Sequence, residues 1–289
     1  ISTDGSVSPI SSKTFPDVQT VSWSPKGNKA VIEFPDKSKI FFDFDSGRQA
    51  TLPKTWADIE FDPTGTKIAA KNLNPDTDSR WLILSNPDGS ESEAVAFIGS
   101  NANAITIAWS PTGRYLGFSD TGTLQSGELR SLYLITKERQ SGKYEKIQVE
   151  GGNFRPLWSP DGNSLVYSVY TQETNFNPNL YIISTSPGNV GERKVNLSVQ
   201  TWSNKCAFGG AQTLYCAVPR SLEEGYGLVP ELAKNTPDNI YKIDTASGIQ
   251  TLIATPDEDV TAEKIFLSAD KSSLFIINAD GQGIKEIKL

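Results

Sequence analysis

Histidine and methionine are absent from the 289 residues, and cysteine occurs only twice. Without histidine the chain cannot assemble a Ser-His-Asp or Cys-His triad from its own residues. Zinc held through imidazole is excluded as well, and two cysteines alone make a poor structural zinc site. No apolar run approaches the ~20 residues that a membrane-spanning helix needs, and no glycine-rich phosphate loop opens a helix. Positive charge is also scarce. Lys and Arg number 27 against 34 Asp and Glu, a formal charge of −7, whereas a nucleic-acid binder needs a basic face to neutralise phosphates. The most basic stretch, 137–146, is interrupted by Glu138 and Glu145 and reads as a solvated hairpin. The chemistry left open is that of carboxylates, hydroxyls, amines and phenols: a paired-carboxylate glycosidase, or an oxygen-liganded calcium site.

What is present is a repeat. Trp23-Ser-Pro-Lys-Gly27, Phe61-Asp-Pro-Thr-Gly65, Trp109-Ser-Pro-Thr-Gly113 and Trp158-Ser-Pro-Asp-Gly162 each join an aromatic to a Pro-x-Gly turn, and each leads into a short apolar run. Proline presets φ at the first central turn position, and glycine tolerates φ > 0 near the turn's end. The aromatic therefore ends one strand and the apolar run begins the next. Weaker copies follow at 205–216 and 264–278, with Phe208 and Phe266 as their aromatics. The aromatics are 38, 48, 49, 50 and 58 residues apart, near the ~40–50 residues of a four-stranded propeller blade. The expectation is all-β: a six-bladed β-propeller of four-stranded antiparallel blades in one domain, 1–289. The blades are expected near 12–53, 54–98, 99–150, 151–200, 201–256 and 257–289. The last shows only three strands, and a ring one strand short exposes an edge, so residues 5–11 are expected to supply the N-terminal strand that closes it.

The repeated Trp-Ser-Pro-x-Gly followed by an apolar strand resembles the WD40-like (PD40) repeat of TolB-type six-bladed propellers, over nearly the whole chain. The resemblance implies the propeller fold and a bacterial envelope or secreted setting. It does not select a chemistry, because such propellers serve as scaffolds, peptidase gating domains and lactonases alike.

Cys206 and Cys216 fall opposite each other if Phe208 faces Leu214 across the fifth hairpin. Opposed strand residues come within disulfide range, and such bonds persist in oxidising compartments. The spacing favours a disulfide over two buried free thiols. An extracytoplasmic location (periplasmic, cell-surface or secreted) follows, and the start at Ile1 rather than Met leaves room for a signal peptide or anchor upstream.

Long connections between second and third strands, at 72–80, 120–130, 170–179 and 219–239, mark the expected binding face. Its candidates are Arg80, Arg130, Tyr170, Phe176, Glu223, Glu224, Tyr226 and Leu228. The longest loop carries Tyr226, Leu228, Val229 and Leu232 among charges, either as a cap folded onto blade five or as an exposed anchor patch. Residues three before the motif aromatics lie near the axis, which makes Asp58, Arg155, Lys205 and Glu263 channel candidates for mutual pairing or for gripping a small charged ligand. Acidic loops at 74–78, 86–89 and 256–259 lack the calcium-loop pattern and read as turns. Asp76 and Asp78 are the candidate ligands should a metal bind, no cofactor being expected and calcium the ion the residues allow. The expected function is a non-catalytic binding or scaffold propeller that presents its long loops to a protein or other envelope macromolecule. The alternatives are a lactonase- or glycosidase-like hydrolase with carboxylate or calcium chemistry at the channel mouth, and a regulatory propeller cut from a larger peptidase.

Overall fold

The computed structural model describes residues 8–122, 128–136, 145–256, 259–281 and 283–289. Within them the ordered elements are strands and five short 3-10 segments. Blade one runs Thr20–Trp23, Lys29–Glu33, Lys39–Asp43 and Gln49–Leu52. Blade two runs Trp56–Phe61, Ile68–Asn72, Trp81–Ser85 and Glu93–Phe97. Blade three has Ile105–Ile107, Tyr115–Ser119, Leu129–Thr136 and Lys146–Glu150. Blade four has Gly152–Trp158, Ser164–Tyr170, Pro178–Ser184 and Val195–Asn196. Blade five has Cys206–Phe208, Thr213–Pro219, Asp238–Asp244 and Gln250–Ala254. Blade six has Ala262–Leu267, Ser273–Asn278 and Ile284–Lys288. Each sheet is an antiparallel meander, and the fold class is a six-bladed β-propeller.

The repeated turn explains itself at the level of hydrogen bonds. The glycine N–H closes the turn on the carbonyl three residues before it: Gly27 on Ser24 at 2.8 Å, Gly65 on Asp62 at 2.9 Å, Gly113 on Ser110 at 2.8 Å and Gly162 on Ser159 at 2.8 Å. Those glycines sit at φ between 68 and 70°, where a side chain would be strained. The serine hydroxyl then accepts the N–H of the next strand's first residues, as Ser24 does from Lys29 at 3.0 Å, Ser110 from Tyr115 at 2.9 Å and Ser159 from Ser164 at 2.9 Å. Asp62 does the same with its carboxylate, accepting from Thr66 at 2.8 Å and Lys67 at 3.0 Å. The motif's Ser or Asp is thus a side-chain cap that satisfies backbone donors the tight turn would leave unpaired.

The described residues divide into two compact units, the first within 8–119 and 134–136 and the second within 120–133 and 145–289. In the first, apolar side chains of blades one and two pack as Val31, Phe41, Leu52, Trp56, Phe61 and Ile68. Blade two then packs on blade three through Ala69, Leu82, Leu84, Ile105, Trp109 and Leu116. In the second, blades four and five share Val166, Leu180, Leu197, Cys206, Leu214 and Cys216, and blades five and six share Ala217, Ile240, Ile265, Leu274 and Ile276. Each core is a layer between successive sheets, the packing that alternating strands dictate.

Burial of the motif aromatics is uneven, and the closing of the sixth sheet differs from expectation. The motif aromatics Phe61, Trp109 and Trp158 are buried, whereas Trp23 and Phe266 are exposed. Each of those two stacks on an aromatic of its own blade instead, Trp23 on Phe44 at 5.4 Å and Phe266 on Phe275 at 5.3 Å. The sixth sheet has three strands among the described residues. The segment expected to supply its fourth carries no strand over 8–11, and residues 5–7 lie outside the described part. So do 123–127 of the second long connection, 137–144 of the basic stretch, and 257–258 of the last acidic loop.

Candidate functional site

In blades two, four and six the ladder between first and second strands slips register at the same place, between Ala57 and Glu60, Gly152 and Arg155, and Ala262 and Lys264. A bulge bends its strand and re-aims the side chains beside it. Asp58 and Asn153 occupy left-handed backbone there, at φ 51 and 54°, which non-glycine residues adopt only where the surroundings impose it. Three of the four predicted channel residues are brought to this end of the second unit. Arg155 lies just past its bulge, Glu263 on its own, and Lys205 at the end of the 3-10 segment Ser203–Lys205.

Asn204 joins these strands. Its Oδ1 accepts from the Arg155 Nη1 at 3.2 Å, while its Nδ2 donates to the Glu263 backbone carbonyl at 3.1 Å. Ser203 Oγ donates to the Arg155 carbonyl at 2.7 Å. Behind them Lys205 Nζ contacts the Asp238 carboxylate at 2.8 Å, with side chains 5% and 1% exposed. Asp238 also accepts the Ala262 N–H at 2.7 Å. Burial raises the Asp238 pKa despite the adjacent ammonium, the usual outcome when desolvation exceeds the Coulombic return.

A cavity of about 180 Å³ opens here, with Arg155, Trp202, Lys205, Glu231, Lys234 and Glu263 among its lining residues. Burial also lowers the Arg155 pKa, opposed by the negative charges of Glu231 and Glu263. Asp238, Asn204, Glu231 and Lys234 were not anticipated from the sequence. A signal for the last two existed. Pro230 opens the 3-10 segment Pro230–Asn235, a position proline favours, and residues three apart in such a turn share one side. Glu231 and Lys234 therefore fall together. No comparable pattern marks Asp238, whose importance comes from burial alone.

The 3-10 segment belongs to the long loop of blade five, and that loop is pinned to the loop of blade four. Gly225 N–H donates to the Asn175 carbonyl at 2.9 Å, Gly227 N–H to the Phe176 carbonyl at 2.8 Å, and Asn153 Nδ2 to the Gly227 carbonyl at 3.1 Å. A Cβ at Gly227 would stand 2.5 Å from the Phe176 carbonyl oxygen, so glycine is required by the close approach. Phe176 itself is left-handed at φ 55° and meets Tyr170 edge-on at 6.3 Å. Of the predicted anchors, Tyr226 is half-buried and Glu223 and Glu224 are exposed. Leu228, Val229 and Leu232 are 52%, 46% and 59% exposed. They do not fold down as a cap.

Other predicted residues serve local structure. Asp58, in the first unit, pairs with Lys71 at 2.7 Å. Arg80 Nε donates to the Asn74 carbonyl at 2.7 Å. Asp76 accepts from the Asp78 N–H at 3.1 Å and the Ser79 hydroxyl at 3.0 Å, capping the turn Thr77–Ser79. Arg130 Nε lies 2.8 Å from an Asp120 oxygen. Among the described residues no group of three or more Cys, Asp or Glu is placed to hold a metal, and no helix is long and apolar enough to cross a membrane. Cys206 and Cys216 are directly opposed in register and bonded.

No known family profile matches the chain. An uncharacterised peptidase, YuxL of Bacillus subtilis (strain 168), is 29% identical over 119 residues, 39% of this chain and 17% of that protein. The fold is similar to the Pyrococcus horikoshii acylaminoacyl peptidase, with TM-score 0.60 at 14% identity over 95% of this chain and 46% of the other. It is similar to an oligogalacturonate lyase solved with manganese, with TM-score 0.60 at 13% identity over 94% of this chain and 77% of the other. Identities this low establish the propeller fold, which hosts unrelated functions. The chain spans about a sixth of the length of the curated relative it matches, 17%.

Proposed function

We propose that the chain is an extracytoplasmic binding propeller of the PD40, TolB-like kind, which docks a protein partner on the interlocked loops of blades four and five. The observation that carries this reading is the exposed trio Leu228, Val229 and Leu232 on a loop held by backbone hydrogen bonds. Exposed apolar groups on a pre-ordered loop bind without a large ordering cost, and Tyr226, Tyr170 and Phe176 supply the aromatic neighbours typical of an interface centre. The disulfide supports an oxidising compartment. The test is partner capture from envelope extract of the source organism, comparing the native chain with Leu232→Asp and Tyr226→Ala. A partner retained by the native chain and lost by both variants supports the reading. Equal retention by all three chains overturns it.

A second reading has its own support. The 119-residue likeness to a peptidase fits a propeller that regulates access to a catalytic domain, and the same loops would then face that domain. The histidine-free sequence places any triad histidine outside these residues. Proteolytic activity appearing when a separately expressed peptidase domain from the same gene is added, and gated by Leu232→Asp, would favour this reading over a free-standing binder.

A further inference from the structure

The cavity of the second unit contains two kinds of charge. Lys205 and Asp238 neutralise each other at 2.8 Å, as structural pairs do. The remaining four charged residues of the lining, Arg155, Lys234, Glu231 and Glu263, make no ion pair within 4.0 Å among the described residues. Glu231, Lys234 and Glu263 are exposed and Arg155 is half-buried, so none of the four is locked into a pair of the Lys205–Asp238 kind. Instead Arg155 is kept in place by a neutral group, the Asn204 amide at 3.2 Å, and that amide is itself anchored to the Glu263 backbone.

From this juxtaposition we infer that the cavity is a binding site for a small zwitterion, its carboxylate on Arg155 and its ammonium toward Glu231 and Glu263. The guanidinium has lost part of its hydration, and Glu231 and Glu263 act on it only from beyond ion-pair distance, while its planar fork is the natural partner for a carboxylate. The two positive and two negative open charges sum to zero, which disfavours a phosphate or other multiply charged anion and suits a ligand carrying both signs. At about 180 Å³ the space is below the ~300–1,000 Å³ of pockets for drug-sized ligands, and matches a molecule of amino-acid to dipeptide size. The loop that presents Leu232 outward also supplies Glu231 and Lys234 to this lining. The site does not depend on the partner-binding reading, since nothing in it requires the outer face to be occupied.

The test is calorimetric titration of the whole chain at pH 7 with glycylglycine, glycylglycinamide and N-acetylglycylglycine. Glycylglycine is expected to saturate in the millimolar range or tighter, with each blocked analogue at least about tenfold weaker. Arg155→Gln should make glycylglycine and its amide bind alike, and Glu263→Gln with Glu231→Gln should do the same for glycylglycine and its N-acetyl form. The analogue series on the unaltered chain carries the test if a variant does not fold. Absence of saturation by glycylglycine, equal binding of all three compounds, or carboxylate preference surviving in folded Arg155→Gln would each overturn the inference.

Discussion

Blades one to four and blades five and six solve the same turn differently. In the first four, Ser or Asp caps the next strand and glycine takes the left-handed position. In blade six Ser268 still accepts from Ser273 at 3.0 Å, but Lys271, at φ 61°, stands where the others have glycine. In blade five the turn passes through Gly209 and Gly210, and a disulfide crosses the hairpin instead of a proline-glycine turn fixing it. The irregular blades also carry the longest loop, the buried ion pair and most of the cavity lining. Regularity here maintains the fold, and the departures from it collect around the cavity of the second unit.

The largest expected effect comes from the buried pair of the irregular region. Asp238→Ala would leave Lys205 charged and unpartnered, at a cost of about 3–5 kcal/mol, read as a fall in the urea midpoint. Changing both partners together, Lys205→Met with Asp238→Asn, should recover more than half of it. A single-variant loss no larger than that of the double would mean that the pair is not coupled.

Removing the crosslink with Cys206→Ala and Cys216→Ala should cost about 2–3 kcal/mol, given the short loop it closes. Intact-mass analysis after alkylation without reductant should show no modified thiol in the native chain. The turn glycines come next. Gly113→Ala meets no atom within 4 Å, so its expected cost of roughly 1 kcal/mol is purely that of left-handed backbone. Lys271→Gly should stabilise blade six by a similar or smaller amount. If the two changes move the melting temperature in the same direction, the comparison between regular and degenerate turns fails.

The smallest effect, invisible at neutral pH, separates turn carboxylates from the buried one. Hydrogen bonds hold three turn acids below their ordinary value: Asp161 chiefly through Ser159, Asp244 through the Ser247 N–H, and Asp270 through Ser268, the last pushed down to about 2. A lowered folded pKa contributes stability above the unfolded value of 3.8, and that stability is lost as pH falls through the folded value. Unfolding midpoints should therefore drop between about pH 4 and pH 2. Asp238 has the opposite sign. Its raised pKa makes its ionisation disfavour folding as pH rises above 3.8, so Asp238→Asn should lessen that part of the profile without altering the acid drop.

Much of the fold was legible because the turn motif is local. The Phe208–Leu214 pair and the opposed cysteines fall where spacing places them, since hairpin register follows from turn length. The bulges were not legible, because a slipped ladder at Asp58 or Glu263 depends on what packs across the strand rather than on the strand's own residues. For the same reason the sequence identifies Arg155, Lys205 and Glu263 as neighbours but not Asp238, which leaves Lys205 committed and Arg155 open. The exposure of Leu228, Val229 and Leu232 was likewise undecidable from composition, as the loop's course rests on Gly225 and Gly227 bonding to the loop of blade four.

The central claim, that the loops of blades four and five form the docking surface, is tested most directly by hydrogen-exchange mass spectrometry of the chain with and without its captured partner. The account predicts new protection concentrated in 170–179 and 219–239, with the regular turns at 24–27, 62–65 and 110–113 unchanged. Protection appearing elsewhere, with those two loops exchanging as they do in the free chain, would contradict it.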